Sequence, residues 1–150
     1  MTHIQVIEAA SIPSLLEGFK HDGELRKFNQ NMKHSNRGLH ITFCAPKSVS
    51  VAALIGGDTR LIEAHKTTVD CAVEGIIAVL SEGGNRDINI ILLCEHTKDR
   101  AGEVHLHSHA LLDNVPYVPA VQYVAMESIG KTYQTELLHI TKELGYAEDN

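Results

Sequence analysis

The chain has no tryptophan and only 5% aromatic residues, so it is poor in the stacking surfaces from which general single-strand nucleic-acid coats are built. Cysteine is scarce too. Cys44, Cys71 and Cys94 are odd in number, widely spaced and without a CxxC pair, which argues for reduced thiols packed in the core rather than a disulfide framework or a cysteine metal site. Thirteen Lys and Arg face nineteen Asp and Glu, a net charge of −6, and a protein that coats nucleic acid over its whole surface is disfavoured. No apolar run approaches the length that spans a bilayer. The opening MTHIQVIEAA lacks the basic start and long apolar middle of a secretory signal, so a cytoplasmic location without a membrane partner is expected.

What is there suffices for one domain over residues 1–150: the chain is 43% hydrophobic and long enough to bury a core. The charge is unevenly spread. Residues 1–50 carry six Lys and Arg against four Asp and Glu, a net of +2, whereas residues 51–150 carry seven against fifteen, a net of −8. An anionic partner is therefore expected near Lys20, Arg26, Lys27, Lys33, Arg37 and Lys47, unless these are simply solvated charges.

The pattern along the chain alternates between helix and strand. Residues 11–31 read as a short helix, a turn at Asp22-Gly23 and a polar continuation. Leu39–Cys44 alternates and is β-branched, a strand that Pro46 ends. A helical pattern from Ser48 to Leu54 breaks at Gly56-Gly57 and restarts behind Asp58, a natural N-cap. Ile62, Val69, Val73, Ile76 and Leu80 then recur at helical spacing, up to Gly83-Gly84. Asp87–Glu95 is a nearly continuous apolar run, a buried strand with His96 at its end. The segment from Thr97 to Gly102 is too short for a crossover helix, so the next strand returns antiparallel. A loop with Pro116 and Pro119 precedes a last helix, about 120–144, with a break expected at Gly130 and a C-cap at Gly145. These elements predict an α+β fold, a central antiparallel sheet with flanking helices, in which the long helix and the last helix cover the same sheet.

The returning strand carries the most informative residues. In EVHLHSHALL (Glu103–Leu112) the histidines 105, 107 and 109 share one strand face, while Leu106, Ala110 and Leu112 share the other. Such a row can hold a metal, hold a phosphate or titrate as a switch. A tight hairpin would bring His96 beside it, and three imidazoles from two neighbouring strands can converge on one ion and leave positions open for water or a phosphate oxygen.

At GLHITFCAPKSVS (Gly38–Ser50) the chain resembles the GxDLTFSAPKSVS signature of conjugative relaxases of the TrwC/TraI type, members of the HUH class, and the resemblance continues through ALIGGDTRLIEAHKTTVDCAVE. The family's strand histidine and LHTHAV strand are similar to His96 and to Leu106–Leu111, and KTYQTELLHITKELGY is similar to the family's following helix. Coverage runs from about Ser14 to Tyr146. The resemblance implies an antiparallel sheet flanked by helices and a three-histidine site at His96, His107 and His109 for a divalent metal: Mg, Mn, or a transition metal such as Zn or Ni. It also implies single-stranded DNA at a plasmid transfer origin as the partner, attack on the scissile phosphate by a tyrosine, and relaxosome proteins as further partners. Lys47, Ser48 and Arg37 are the expected DNA contacts. His105 is set aside as a ligand, because residues two apart on a strand lie roughly 6.4–6.8 Å apart along its axis and three in a row converge poorly.

Two departures from the family bear on activity. The family's nucleophilic tyrosines lie near the N-terminus, whereas the first tyrosine here is Tyr117, so the tyrosine-bearing segment is expected to be missing and the domain truncated or degenerate for transesterification. His40 stands where the family has an acid, so it can serve as a fourth ligand but cannot supply a carboxylate's charge. Two other readings compete. HLHSHALL also resembles the His-triad nucleotide hydrolases, although Ser108 stands where they have an apolar residue and the APKSVS block has no role there. The other is a non-catalytic module that binds DNA or a partner without cutting.

Overall fold

The computed structural model describes residues 2–33, 37–81, 88–115 and 119–147, the stretch 119–126 as backbone alone. Five strands, β1 (Thr2–Glu8), β2 (Glu24–Phe28), β3 (Arg37–Cys44), β4 (Asn89–Lys98) and β5 (Val104–Asp113), form one sheet in the order β1-β3-β5-β4-β2. Every neighbouring pair is antiparallel. The helices are α1 (Ile12–Asp22), α2 (Lys47–Leu54), α3 (Thr59–Ser81) and α4 (Pro119–Glu143). The expected α+β architecture is the one observed, with β5 at the centre of the sheet and β4 beside it.

The pleat of the sheet divides the residues into two packed faces. On one, Leu39, Ile41 and Phe43 of β3, Leu93 of β4, and Ala110 and Leu112 of β5 meet Ala64, Val69, Ala72, Val73, Ile76 and Leu80 of α3 and Ile129, Tyr133 and Leu137 of α4. Their spacing is helical on α3 and α4 and alternate on the strands, so one apolar stripe per element suffices. On the other face α1 lies across the sheet. Ile12 and Leu16 are buried against Ile91, Leu92, Cys94 and Leu111, with Phe19 partly buried beside them.

Local signals explain most of the element ends. Asp58 accepts the Arg60 backbone N–H at 3.1 Å and also holds the Arg60 guanidinium, capping the start of α3 as expected. Gly145 takes a positive φ of 98°, which suits glycine after a helix. α4 is continuous through Gly130, so the expected break is absent: no proline follows, and Ile129, Tyr133 and Leu137 keep one face buried on either side of it. β4 runs on to Lys98, past the expected end at Glu95, because the hairpin ladder pairs His96 with His107 and Lys98 with Val104.

Two strands depart from the sequence reading. β1 falls in the opening stretch where no strand is expected, and β2 replaces the polar continuation after α1. Both are edge strands with largely exposed side chains, where a charged pattern such as ELRKF protects an unpaired edge. Arg26 of β2 reaches α3, donating to the Lys66 carbonyl at 3.1 Å and to the Asp70 carboxylate. All three cysteines are free thiols, but only Cys94 is buried; Cys71 is exposed on the outer side of α3, so it does not pack in the core as expected. The expected helix end at Gly83-Gly84, the start of the β4 run at Asp87, Pro116 and Tyr117 lie outside the described residues. Among the described residues no helix is long and apolar enough to cross a membrane.

Candidate metal centre

β4 and β5 bring the candidate ligands together. His96 and His107 are register partners, and Cys94 is paired with His109, so the two-residue step of β5 lays His107 and His109 beside His96 on the face covered by α1. One ligand nitrogen or other donor atom from each of His96, His107 and His109 lies within 4.8 Å of the other two. The rings are mutually close, with centroids 5.0 Å apart for His96–His107, 4.9 Å for His96–His109 and 5.2 Å for His107–His109. His105 does not join them. Its ring stacks on His107 at 4.6 Å, on the far side from His109, in keeping with the reach of a strand.

The hydrogen bonds around the rings favour particular tautomers. His107 Nδ1 lies 2.9 Å from the His105 carbonyl, which only accepts, so Nδ1 carries the proton and the Nε2 lone pair is free. His40 Nε2 and His109 Nδ1 share a hydrogen bond of 3.0 Å, and Thr42 Oγ1 stands 3.3 Å from both nitrogens. With His109 donating through Nδ1–H, its Nε2 is likewise free, and His40 is then left to donate through Nδ1 to Gln5 Oε1, 3.4 Å away. His40 thus stands behind His109 as an orienting partner, the role in which outer groups fix a ligand imidazole. Cys94 Sγ lies 3.5 Å from His96 Nε2.

Burial disfavours the charged form of His40, His96, His105 and His109. It lowers His40 to about 4 and His109 to about 3, the latter with added repulsion from His40, His96 and His107. His96 is lowered by burial and by His107, against a small opposing pull from Asp22, and His105 is lowered by the same two causes, against a pull from Asp99. Neutral imidazoles with converging lone pairs are the donor set that a cation requires, and protonated ones are not.

α1 and its end shape the opening over the cluster. Phe19 stacks on His109 with centroids 4.1 Å apart, tilts against His40 at 5.1 Å and meets His96 edge-on at 6.1 Å. Gly23, just past α1, comes so near His96 that a Cβ there would lie 2.5 Å from its Nε2. Neither residue stood out in the sequence. Phe19 continues the Ile12 and Leu16 stripe of an ordinary amphipathic helix, and Gly23 reads as a turn.

The expected DNA contacts are spread out. Lys47, at the start of α2, lies at the histidine end of the sheet, where its ammonium donates to the Val104 carbonyl at 3.2 Å and stands 3.9 Å from Glu103. Ser48 is exposed on α2 and lines a cavity of about 420 Å³ between α2 and α4. Arg37 begins β3 opposite Glu8 and next to Gly38, the partner of Asp113, seven residues from Cys44, the partner of His107, so it sits at the other end of the sheet. Tyr123 lies on α4 among residues described by backbone alone, and Tyr133 is buried on the opposite sheet face.

Residues 3–150 match the TrwC relaxase family. The match starts ahead of the expected Ser14 and takes in β1 and α1. Two curated relatives are the multifunctional conjugation protein TraI of Escherichia coli strain K12, 36% identical over 129 residues, and TraI of Escherichia coli, 32% identical over 159 residues. They cover 79% and 88% of this chain, which itself spans only 7% and 9% of their lengths. Among solved structures, the conjugative relaxase TrwC in complex with oriT DNA superposes in its metal-bound form with a TM-score of 0.73 at 20% identity, over 98% of this chain and 71% of that one. The metal-free complex gives 0.71 at 22% identity, over 100% and 72%. By the extent of the family match and the identity to these relatives, the chain belongs to the TrwC relaxase family.

Proposed function

We propose that this chain is a relaxase-type domain that holds a divalent metal on His96, His107 and His109 and binds single-stranded DNA of a plasmid transfer origin across that face. The observation that carries the reading is the convergence of three imidazoles from two paired strands, in a chain of this family. A bound cation would act as a Lewis acid on a phosphodiester. The chain's own residues do the rest. His40 and the His105 carbonyl orient the ligand rings, Lys47 lies at the same end of the sheet to meet backbone phosphate, and Phe19 limits access from the α1 side. Mg or Mn suits such an open site when phosphate oxygens complete it, while three imidazoles equally suit Zn or Ni. Relaxosome proteins are the further partners this reading brings.

The aromatic ring nearest the three imidazoles, among the described residues, is Phe19, which has no hydroxyl to offer as a nucleophile. We therefore expect binding that weakens with salt and little or no covalent protein–DNA adduct. The test incubates the chain with labelled single-stranded oligonucleotides, including a cognate transfer origin, and Mn²⁺ or Mg²⁺, followed by a denaturing gel. A shifted band lost in Tyr117→Phe or Tyr123→Phe overturns the expectation, and cleavage without a shift assigns the attack to water. Phe19→Tyr adds a phenol to the ring on His109 and is the variant in which an adduct is expected first. The three-histidine set across two strands also separates this reading from a His-triad hydrolase, whose residues would be His105, His107 and His109.

A further inference from the structure

β5 is held from behind on both sides of His107. At Leu106 the backbone N–H donates to the Ser50 hydroxyl at 3.0 Å, and the carbonyl accepts from Ala45 N–H at 2.9 Å. At Ser108 the hydroxyl lies 2.8 Å from His65 Nε2, whose Nδ1 is 2.9 Å from the Tyr133 hydroxyl. Ser50, His65 and Ser108 are wholly buried and Tyr133 is 2% exposed. A neutral imidazole has one donor and one acceptor, so the Tyr133–His65–Ser108 chain runs in one direction at a time and satisfies each ring nitrogen. This polar thread joins α4, α3 and β5 through a largely apolar face, whose other buried polar groups include Thr68 and Glu95, the register partner of Ser108.

Packing alone does not call for it. Three polar groups in a core gain little over apolar residues of similar shape, and such networks endure where they select one arrangement of neighbouring groups. The neighbours here are specific. Ser108 lies between His107 and His109 on the chain, and Leu106 precedes His107, so the torsions fixed at 106 and 108 set the directions in which both imidazoles leave the strand. Ser50 closes the APKSVS block, which gives that block a task in the fold: its first residue and its last hold the backbone carbonyl and N–H of Leu106.

We infer that Ser50, Ser108, His65 and Tyr133 are positioning residues, a clamp on the reverse of β5 that aims His107 and His109 at a common point. The inference rests on the metal reading above for its consequence and on the fold alone for its geometry, so two readouts are used. The first is Co²⁺ titration, followed by its visible spectrum, of the wild type, Ser108→Ala, Ser108→Thr, Ser50→Ala and the triple variant His65→Leu, Ser108→Ala, Tyr133→Phe. The triple variant replaces every member of the thread by an apolar one and should keep its melting temperature, since no partner is left unsatisfied. Expected is a loss of Co²⁺ affinity of roughly 10- to 100-fold in Ser108→Ala and the triple variant, with an altered spectrum, and recovery in Ser108→Thr. The second readout is metal-free: the ring nitrogen signals of His107 and His109 should move in the triple variant while those of exposed His139 stay. A folded triple variant with wild-type Co²⁺ affinity, spectrum and ring signals overturns the clamp. If the wild type takes up no Co²⁺, the metal reading fails, and the ring signals alone decide the clamp: moved signals support it and unmoved signals overturn it.

Discussion

The two faces of β5 differ in what they ask of the same strand. Towards α1 it presents His107 and His109 to an opening bordered by Phe19, His40 and His96; on the reverse it presents Leu106 to α2 and the start of α3, and Ser108, Ala110 and Leu112 to the core under α3 and α4. A central strand is suited to this double task, because its neighbours β3 and β4 fix its register while α3 and α4 close one face and α1 only borders the opening on the other. The chemistry is kept on the face with room, and rigidity comes from the face without it.

The largest effects should separate the faces cleanly. Phe43→Ala empties a fully buried position under α3 and α4 and is expected to lower stability by about 3–5 kcal/mol in urea unfolding. His107→Ala, across the sheet, is expected to leave unfolding nearly unchanged while reducing metal affinity by more than about 100-fold, beyond what an orienting partner contributes. If Phe43→Ala abolished metal binding in protein that is still folded, the division between the faces would be lost.

Acid should act on both faces for the same reason. Burial holds His65 and His109 near 3 and His40 near 4, against 6.5 for a free imidazole. Between those values the unfolded chain takes up protons that the folded chain refuses, so stability rises with pH across the window and is lost as pH falls from about 6.5 towards 3. Each such histidine adds a slope of at most about 1.4 kcal/mol per pH unit. Unfolding curves at several pH values should be flatter for His65→Leu by about one proton; an unchanged slope would mean that His65 is not held neutral.

The smallest effect should fall on one face only. Gly23 has an extended backbone, φ −127° and ψ 160°, which alanine can adopt, yet its Cβ would press on His96 Nε2. Gly23→Ala should cost roughly tenfold in metal affinity with little change in stability. Equal affinity would show that His96 has space to turn, and would remove it from the ligand set as drawn here.

Much of this was legible in the sequence where burial leaves a regular mark. β3 alternates, β4 is almost continuously apolar and α3 repeats at helical spacing, so these elements and the central sheet could be read directly. β1 and β2 could not, because an edge strand is defined by its partner rather than by a stripe of its own, and ELRKF has no apolar alternation to show. The same contrast holds at the site. The histidines on β4 and β5 stand close along the chain and a hairpin unites them. Phe19, Gly23 and the His65–Tyr133–Ser108 thread come from elements that meet only in three dimensions, with His65 being 43 residues from Ser108 and 68 from Tyr133. The one local trace was Ser108 itself, a hydroxyl in a row otherwise occupied by Leu106, Ala110 and Leu112.

The most direct test of the central claim is a metal titration by calorimetry with Mn²⁺, Co²⁺, Ni²⁺ and Zn²⁺ on the wild type, His96→Ala and His105→Ala. One ion per chain is expected for the wild type and for His105→Ala, and none for His96→Ala. No saturable binding to the wild type, or loss in His105→Ala with retention in His96→Ala, would contradict the cross-strand site.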